Sequence, residues 1–181
     1  LVMDLSGSML SEACNTCDPK IDVLKDAVEI FTQLWRGIAI GDDRIGAIYF
    51  KTNVESFEKN GNTMLSVIDD TPDILTDVRS KTTNGNELTA MGGGLQTAIN
   101  ELSDDTRARN IILFTDGAQN VDPGVVFPGL TIEDGQYGSS SNVSETNPPT
   151  KLDGNLGIKI NTIGIGATAA FETQLADIAT A

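Results

Sequence analysis

Short, nearly continuous apolar runs alternate with amphipathic segments along the chain, and this alternation restricts the fold more than any other feature. Arg44 to Lys51 is typical of a strand that is covered on both faces, and Asn110 to Thr115 and Ile158 to Ile165 are the two most strand-like runs of the chain. Between these runs, apolar residues recur at steps of three and four, as they do in helices. The pattern predicts an α/β fold, with a doubly wound, mainly parallel central sheet flanked by helices on both faces.

The amphipathic segments place the helices. The first runs from Lys20 to Arg36, and we expect Asp18 to cap this helix and Gly37 to end it. The pattern from Thr63 to Ser80 is mixed and predicts a short helix followed by a second one that Pro72 opens. Three further elements are expected: an edge strand at Val54 to Phe57, a helix holding Leu95 to Leu102 and a last helix from about Ala170.

Size and composition favour one domain. The chain has 181 residues, of which 39% are hydrophobic, so we expect a single soluble domain over residues 1–181. Its longest apolar stretches fall far below the roughly 18 residues that span a bilayer, so membrane insertion is not expected. Because the sequence opens inside a strand and stops inside the helix-like segment Phe171 to Ala181, we expect a domain truncated at both ends, from a larger multidomain protein.

Charge excludes several classes of partner. The chain carries 12 basic and 26 acidic residues, and its formal net charge of −14 repels nucleic acids and anionic membranes. It contains no His, which excludes His-based chemistry. The acidic balance favours cations and is compatible with an extracellular or cell-surface protein.

Two oxygen-rich loops follow apolar strands. One is Asp4-Leu5-Ser6-Gly7-Ser8, and the other begins at Asp116. Because the carboxyl ends of parallel strands meet at one edge of a sheet, these oxygens can surround one hard cation such as Mg²⁺. The competing interpretation is that Asp4, Ser6 and Asp116 only shape ordinary turns.

The combination of Asp-x-Ser-x-Ser, a later Thr at a helix entrance and Thr-Asp-Gly resembles the von Willebrand factor type A domain, which has a Rossmann-like fold. The resemblance covers nearly the whole chain and implies a metal ion-dependent adhesion site. The positions that match its metal ligands are Asp4, Ser6, Ser8, Thr89 and Asp116. Thr89 is the weakest match, because Thr82, Thr83 and Thr97 lie nearby and Glu87-Leu88 replaces the usual Gly-rich approach.

The same resemblance implies a function. Mg²⁺ or Mn²⁺ would be held mainly by hydroxyl groups, and an Asp or Glu of a protein partner would fill an open coordination position. The domain would then serve adhesion or protein binding without catalysis. The alternative is a structural or regulatory subunit of a larger intracellular assembly, for example one linked to an ATPase.

Two enzymatic alternatives fit less well. Mg²⁺-dependent phosphatases of the haloacid dehalogenase type carry a second Asp two residues after the first, and that position here is Ser6. A serine mechanism would need a His or Lys partner that the sequence does not indicate. The run from Gly164 to Ala169 is similar to a dinucleotide fingerprint, but it follows the last strand and is better interpreted as a strand-to-helix turn.

Two remaining features bear on the site. Cys14 and Cys17 are the only cysteines, and a local disulfide is favoured over free thiols; it would indicate an oxidising compartment. Residues 119–155 are rich in Gly, Pro, Ser and Asn and predict a long surface insertion near the metal face, where partner specificity could reside. Its acids could hold an additional Ca²⁺, but they match no 12-residue calcium loop and are more simply solvated: Asp122, Glu133, Asp134 and Asp153.

Overall fold

The computed structural model describes residues 1–102, 107–117, 125–127, 130–132, 150–151, 158–166 and 169–180. In chain order, its strands are β1 (Val2–Asp4), β2 (Arg44–Ile45), β3 (Ile48–Phe50), β4 (Val54–Ser56), β5 (Leu65–Ser66), β6 (Arg109–Thr115), β7 (Val125–Phe127), β8 (Leu130–Ile132), β9 (Thr150–Lys151) and β10 (Ile158–Gly164). Its α-helices are α1 (Lys20–Ile38), α2 (Val67–Ser80), α3 (Met91–Leu102) and α4 (Ala169–Thr180), and a short 3-10 helix, Gly7–Leu10, follows β1.

The central sheet is mainly parallel, as the sequence predicted. Its strand order is β10-β6-β1-β3-β4, and β4 is the one antiparallel member among these five. Strand β1 lies in the middle, where Val2 is in register with Ile48 of β3 and with Leu113 of β6. The ends of β1 and β6 are therefore neighbours, and the loops that leave them meet at one edge of the sheet.

Alternating side chains of the central strands build two cores. Val2, Ile48 and Leu113 are buried in one core together with side chains of α3 and α4. Their chain neighbours Met3, Tyr49 and Phe114 point to the opposite face and are buried with side chains of α1 and α2. Because strand side chains alternate between the two faces, each strand contributes to both cores. The expected helices on both faces are confirmed.

Helix α1 confirms the predicted first helix, but both expected ends are wrong. Pro19 occupies the N-cap position, and no side chain caps the helix, so Asp18 has no capping role. The Lys20 amide instead donates to the Ser11 carbonyl at 2.9 Å. Gly37 lies inside the helix, which continues to Ile38. Tertiary contacts, rather than local capping chemistry, therefore fix the start of this helix.

The segment expected to form two helices contains β5 and then the single helix α2, with Pro72 inside it. Ser66 caps this helix by accepting a hydrogen bond from the Asp69 amide at 3.2 Å. A proline inside a helix leaves the carbonyl four residues earlier without its usual donor. That carbonyl belongs to Ile68, and Arg36 of α1 donates its Nε–H to it at 2.9 Å. The long-range hydrogen bond allows the helix to continue through the proline.

The single strand expected from Arg44 to Lys51 is also divided. Strand β2 pairs with β5 in a separate antiparallel sheet, whereas β3 pairs with β1 and β4 in the central sheet. Between them, the Ala47 carbonyl accepts a hydrogen bond from the Phe57 amide at 2.8 Å. A continuous apolar run thus contributes to two sheets. The expected edge strand β4 is confirmed, and it pairs with β3 as a hairpin.

The predicted insertion at 119–155 contains strands β7, β8 and β9, which form a small three-stranded sheet. Its remaining residues, including the four acids considered for Ca²⁺, lie outside the described residues. Across the part of the chain that the structure describes, no helix is both long enough and apolar enough to cross a membrane.

Candidate metal centre

The first predicted ligand, Asp4, ends β1 and is completely buried. Its Oδ1 accepts a hydrogen bond from the Ser6 amide at 2.8 Å, and its Oδ2 accepts one from the Thr115 hydroxyl at 2.6 Å. Burial raises the pKa of Asp4 to about 6; hydrogen bonds from Ser6 and Thr115 lower it, and the nearby Asp116 raises it again. Asp4 is therefore a fixed carboxylate whose negative charge is poorly compensated.

A chain of hydroxyl groups connects the first loop with Asp116. The hydroxyl oxygens of Ser6 and Ser8 are 3.0 Å apart, and the Ser8 hydroxyl donates to Asp116 Oδ1 at 2.7 Å. The short 3-10 helix positions Ser8, because the Met9 amide donates to the Ser6 carbonyl at 3.2 Å. The buried Met9 side chain anchors this turn in the core. The structure thus brings four of the five predicted residues into one hydrogen-bonded group.

Thr89, the fifth predicted residue, lies two positions before α3 and is only 4% exposed. A Cβ atom built on Gly117 would lie 3.5 Å from the Ser8 hydroxyl oxygen and 3.9 Å from that of Thr89, so both hydroxyls border this glycine. The backbone beside Thr89 is fixed, because the Ala90 amide donates to the Lys51 carbonyl at 3.0 Å. The structure therefore places Thr89 at the same site.

The competing threonines have other positions. Thr82 is exposed, and Thr97 lies within α3 and donates its hydroxyl to the Gly93 carbonyl at 2.9 Å. Thr83 donates its hydroxyl to the Leu5 and Ser6 carbonyls, so it supports the first loop from behind. These contacts favour Thr89 as the threonine of the site.

Sequence reasoning missed two residues of the site. Thr115 holds the second oxygen of Asp4, and Lys20 donates from Nζ to Asp116 Oδ2 at 2.7 Å. Thr115 could have been found, because it directly precedes Asp116 in the Thr-Asp-Gly motif. Lys20 offered no such signal, since in sequence it is simply the first residue of an amphipathic helix.

Gly7 permits a close contact between the first loop and the loop before α3. A Cβ atom at this position would lie 2.8 Å from the Gly85 carbonyl oxygen and 2.9 Å from its carbonyl carbon. We expect Gly7→Ala to lower the free energy of unfolding by about 1 to 3 kcal/mol, because the backbone must shift to accept the methyl group. Urea unfolding would measure this loss. Gly85→Ala is the matched control and should change little, since no atom lies within 4 Å of its Cβ position.

The donor set fits a small hard cation. It combines two carboxylates with three hydroxyl groups, and Mg²⁺ prefers such oxygen ligands. No group of three or more His, Cys, Asp or Glu side chains suited to a metal occurs within the described ranges. A cation here would therefore depend on hydroxyl oxygens as well as on Asp4 and Asp116. The ammonium group of Lys20 shows that the site attracts positive charge.

A disulfide joins Cys14 and Cys17, which confirms the pairing that the sequence favoured. It closes a small turn between the 3-10 helix and α1. Beside it, the Ala13 amide donates to the Asp18 carbonyl at 3.1 Å. The covalent link thus stiffens the segment that connects the first loop to Lys20.

Several solved structures share this fold. The PilB minor pilin from Streptococcus sanguinis superposes with a TM-score of 0.66 at 19% identity, over 98% of this chain and 53% of that protein. An aerotolerance-related membrane protein from Bacteroides fragilis gives a TM-score of 0.56 at 17% identity, over 91% of this chain and 65% of its own. The chain thus spans between about half and two thirds of these two proteins. BatB from Bacteroides thetaiotaomicron gives 0.50 at 15% identity, over 99% and 97%.

No curated protein sequence matches the chain. The family model of the von Willebrand factor type A domain, however, matches residues 1–119. The matched part includes both oxygen-rich loops, Thr89 and the strands β1, β3 and β6 that position them. The chain therefore belongs to the von Willebrand factor type A domain family.

Proposed function

We propose that this domain binds one Mg²⁺ or Mn²⁺ and, through that ion, an Asp or Glu side chain of a protein partner. The observation that carries the proposal is the hydrogen-bonded group of Asp4, Ser6, Ser8 and Asp116 at the adjoining ends of β1 and β6. Thr89 borders the same site. The ion would be held by the hydroxyls of Ser6, Ser8 and Thr89, with the two carboxylates acting directly or through water.

The balance of ligands supports an acidic partner. Three of the five candidate groups are neutral hydroxyls, so they leave much of the charge of a divalent ion uncompensated. Mg²⁺ takes six oxygen ligands and keeps waters readily, so an incoming carboxylate can replace a water. This explains how a protein with a net charge of −14 could bind an acidic side chain.

We propose binding without catalysis. A phosphatase of the type considered above needs an acid–base carboxylate two residues after Asp4, and this position is Ser6, whose hydroxyl is hydrogen-bonded to Ser8. A serine nucleophile would need a neighbouring base. The Lys20 ammonium, which reaches this network, is paired with Asp116.

We also propose an extracellular or cell-surface location, as part of a larger protein. The disulfide between Cys14 and Cys17 supports an oxidising environment. Two structurally similar proteins are described as a minor pilin and as a membrane protein. These descriptions are compatible with a location at the cell surface.

The partner's carboxylate can be tested with acetate as a probe. With the domain in excess over Mn²⁺, we expect the ¹³C relaxation of acetate to be enhanced, because its carboxylate enters the open position of the bound ion. Acetamide, which has the same shape without the charge, should show a much smaller enhancement. Equal enhancement of both molecules, or none for acetate, would contradict the proposed recognition.

A further inference from the structure

We propose that Lys20 is a built-in competitor of the divalent cation and that it weakens metal binding by neutralising Asp116. This inference rests on the proposed metal site. Lys20 belongs to neither oxygen-rich loop: it begins α1, and its ammonium group reaches the carboxylate of Asp116, the residue after β6.

The ion pair is nearly enclosed. Lys20 Nζ lies 2.7 Å from Asp116 Oδ2, the Lys20 side chain is 13% exposed and the Asp116 side chain is fully buried. The other oxygen of Asp116 accepts a hydrogen bond from Ser8. Both carboxylate oxygens of Asp116 therefore have partners within the protein itself. Because so little water reaches the pair, its attraction is screened far less than that of a surface salt bridge.

Two segments, the stretch before α1 and the turn after β10, position the Lys20 side chain. Its backbone amide donates to the Ser11 carbonyl at 2.9 Å. Gly166, in the turn after β10, has a φ of +60°, and a Cβ atom there would lie 2.9 Å from Lys20 Cε and 3.0 Å from the Ala13 carbonyl oxygen. The lysine stem thus occupies a narrow passage that a larger residue at Gly166 would close. This packing directs the ammonium group to Asp116.

The competition follows from charge. If Lys20 stays in place when a divalent ion binds, two positive centres share one carboxylate and repel each other. If Lys20 moves away, the protein loses the attraction of a nearly buried ion pair, and the hydration that the ammonium regains offsets part of that loss. Either course makes metal binding less favourable. The domain would therefore bind the ion only at a higher cation concentration than it would need without the charge of Lys20.

The test compares Mn²⁺ affinity in the wild type and in Lys20→Met, which keeps an unbranched stem but removes the charge. We expect the dissociation constant from calorimetry to fall about tenfold in Lys20→Met. Lys20→Gln should change it in the same direction and serves as a second variant if the first is poorly folded. Lys25→Met, five residues later in α1, is the control for net charge. Within the described residues, Lys25 Nζ is paired with Asp22 Oδ1 at 3.9 Å, and the Mn²⁺ affinity of this variant should equal that of the wild type.

Thermal unfolding gives an independent readout. In EDTA, Lys20→Met should melt below the wild type, because Asp116 has lost its compensating charge, and added Mn²⁺ should raise its melting temperature by more than it raises that of the wild type. If the wild type binds Mn²⁺ and both Lys20 variants bind it equally or more weakly, the inference about Lys20 is wrong while the proposed metal site stands. Absence of binding in the wild type and both variants would overturn the proposed metal site as well.

Discussion

Replacing Asp4 with Asn is expected to weaken Mg²⁺ binding by about ten- to a hundredfold. Asn preserves the shape of the side chain and one acceptor oxygen, but it removes the buried negative charge that would face the ion. Because Asp4 is 0% exposed, solvent does not reach this position and cannot compensate for the lost charge. Calorimetric titration should show about one equivalent of Mg²⁺ bound to the wild type and almost no heat with the variant.

Asp18→Asn is the matched control for this experiment, because Asp18 is an exposed acid in the segment between the first loop and α1. The same substitution there should leave the dissociation constant unchanged. Ser6→Ala provides a second direct test, since it removes one proposed hydroxyl ligand without changing net charge. Wild-type affinity in both Asp4→Asn and Ser6→Ala would refute the assignment of the site.

Phe50→Ala is expected to cause the largest loss of stability, about 3 to 5 kcal/mol in the free energy of unfolding. Phe50 lies in β3 and is 0% exposed. Its ring fills the space left by Gly94 of α3, where an added Cβ would lie 2.9 Å from Phe50 Cδ1. Removing the ring would leave a cavity between the sheet and this helix. Denaturant unfolding followed by circular dichroism would measure the loss.

Two comparisons separate this cavity effect from a general effect of truncation. Phe50→Leu should cost about 1 to 2 kcal/mol, because most of the volume is retained. Leu34→Ala removes an apolar side chain that is 69% exposed, and we expect a change within about 0.5 kcal/mol. Equal losses at Phe50 and Leu34 would mean that the described core does not determine stability.

The α/β architecture could be predicted because the spacing of apolar residues in each segment agrees with the helix or strand that the segment forms. The run that became β6 is almost continuously apolar from Ile111 to Phe114, as a parallel strand buried on both faces requires. Strand β10 instead alternates apolar and polar residues and lies at the edge of the central sheet. The steps of three and four from Lys20 onward matched the buried face of α1 at Ile21, Leu24 and Val28, but Leu34 of the same pattern is 69% exposed. The local hydrophobic pattern was sufficient wherever one segment of the chain forms a single helix or strand.

The errors arose where distant residues decide the local structure. Pro72 looked like the start of a helix, yet it lies inside α2 because Arg36 of another helix donates to the carbonyl that the proline leaves free. The run from Arg44 onward looked like one strand, yet its two parts pair in different sheets. Neither hydrogen bonding pattern is encoded in the local sequence.

The same distinction applies to the site. Asp4, Ser6, Ser8 and Asp116 could be selected from sequence because they follow strands and share oxygen chemistry. Lys20 could not, because its contact with Asp116 spans 96 positions and depends on the path past Gly166. The sequence therefore indicated the oxygen ligands but not the positive charge that opposes the metal.

The central claim, that hydroxyl groups and two carboxylates at the ends of β1 and β6 hold one divalent cation, has a direct crystallographic test. Crystals of the domain grown with Mn²⁺ and measured at a wavelength where manganese scatters anomalously would locate the ion. We expect a single strong anomalous peak in contact with the hydroxyls of Ser6, Ser8 and Thr89. A peak elsewhere, or none at this site with Mn²⁺ in excess, would contradict it.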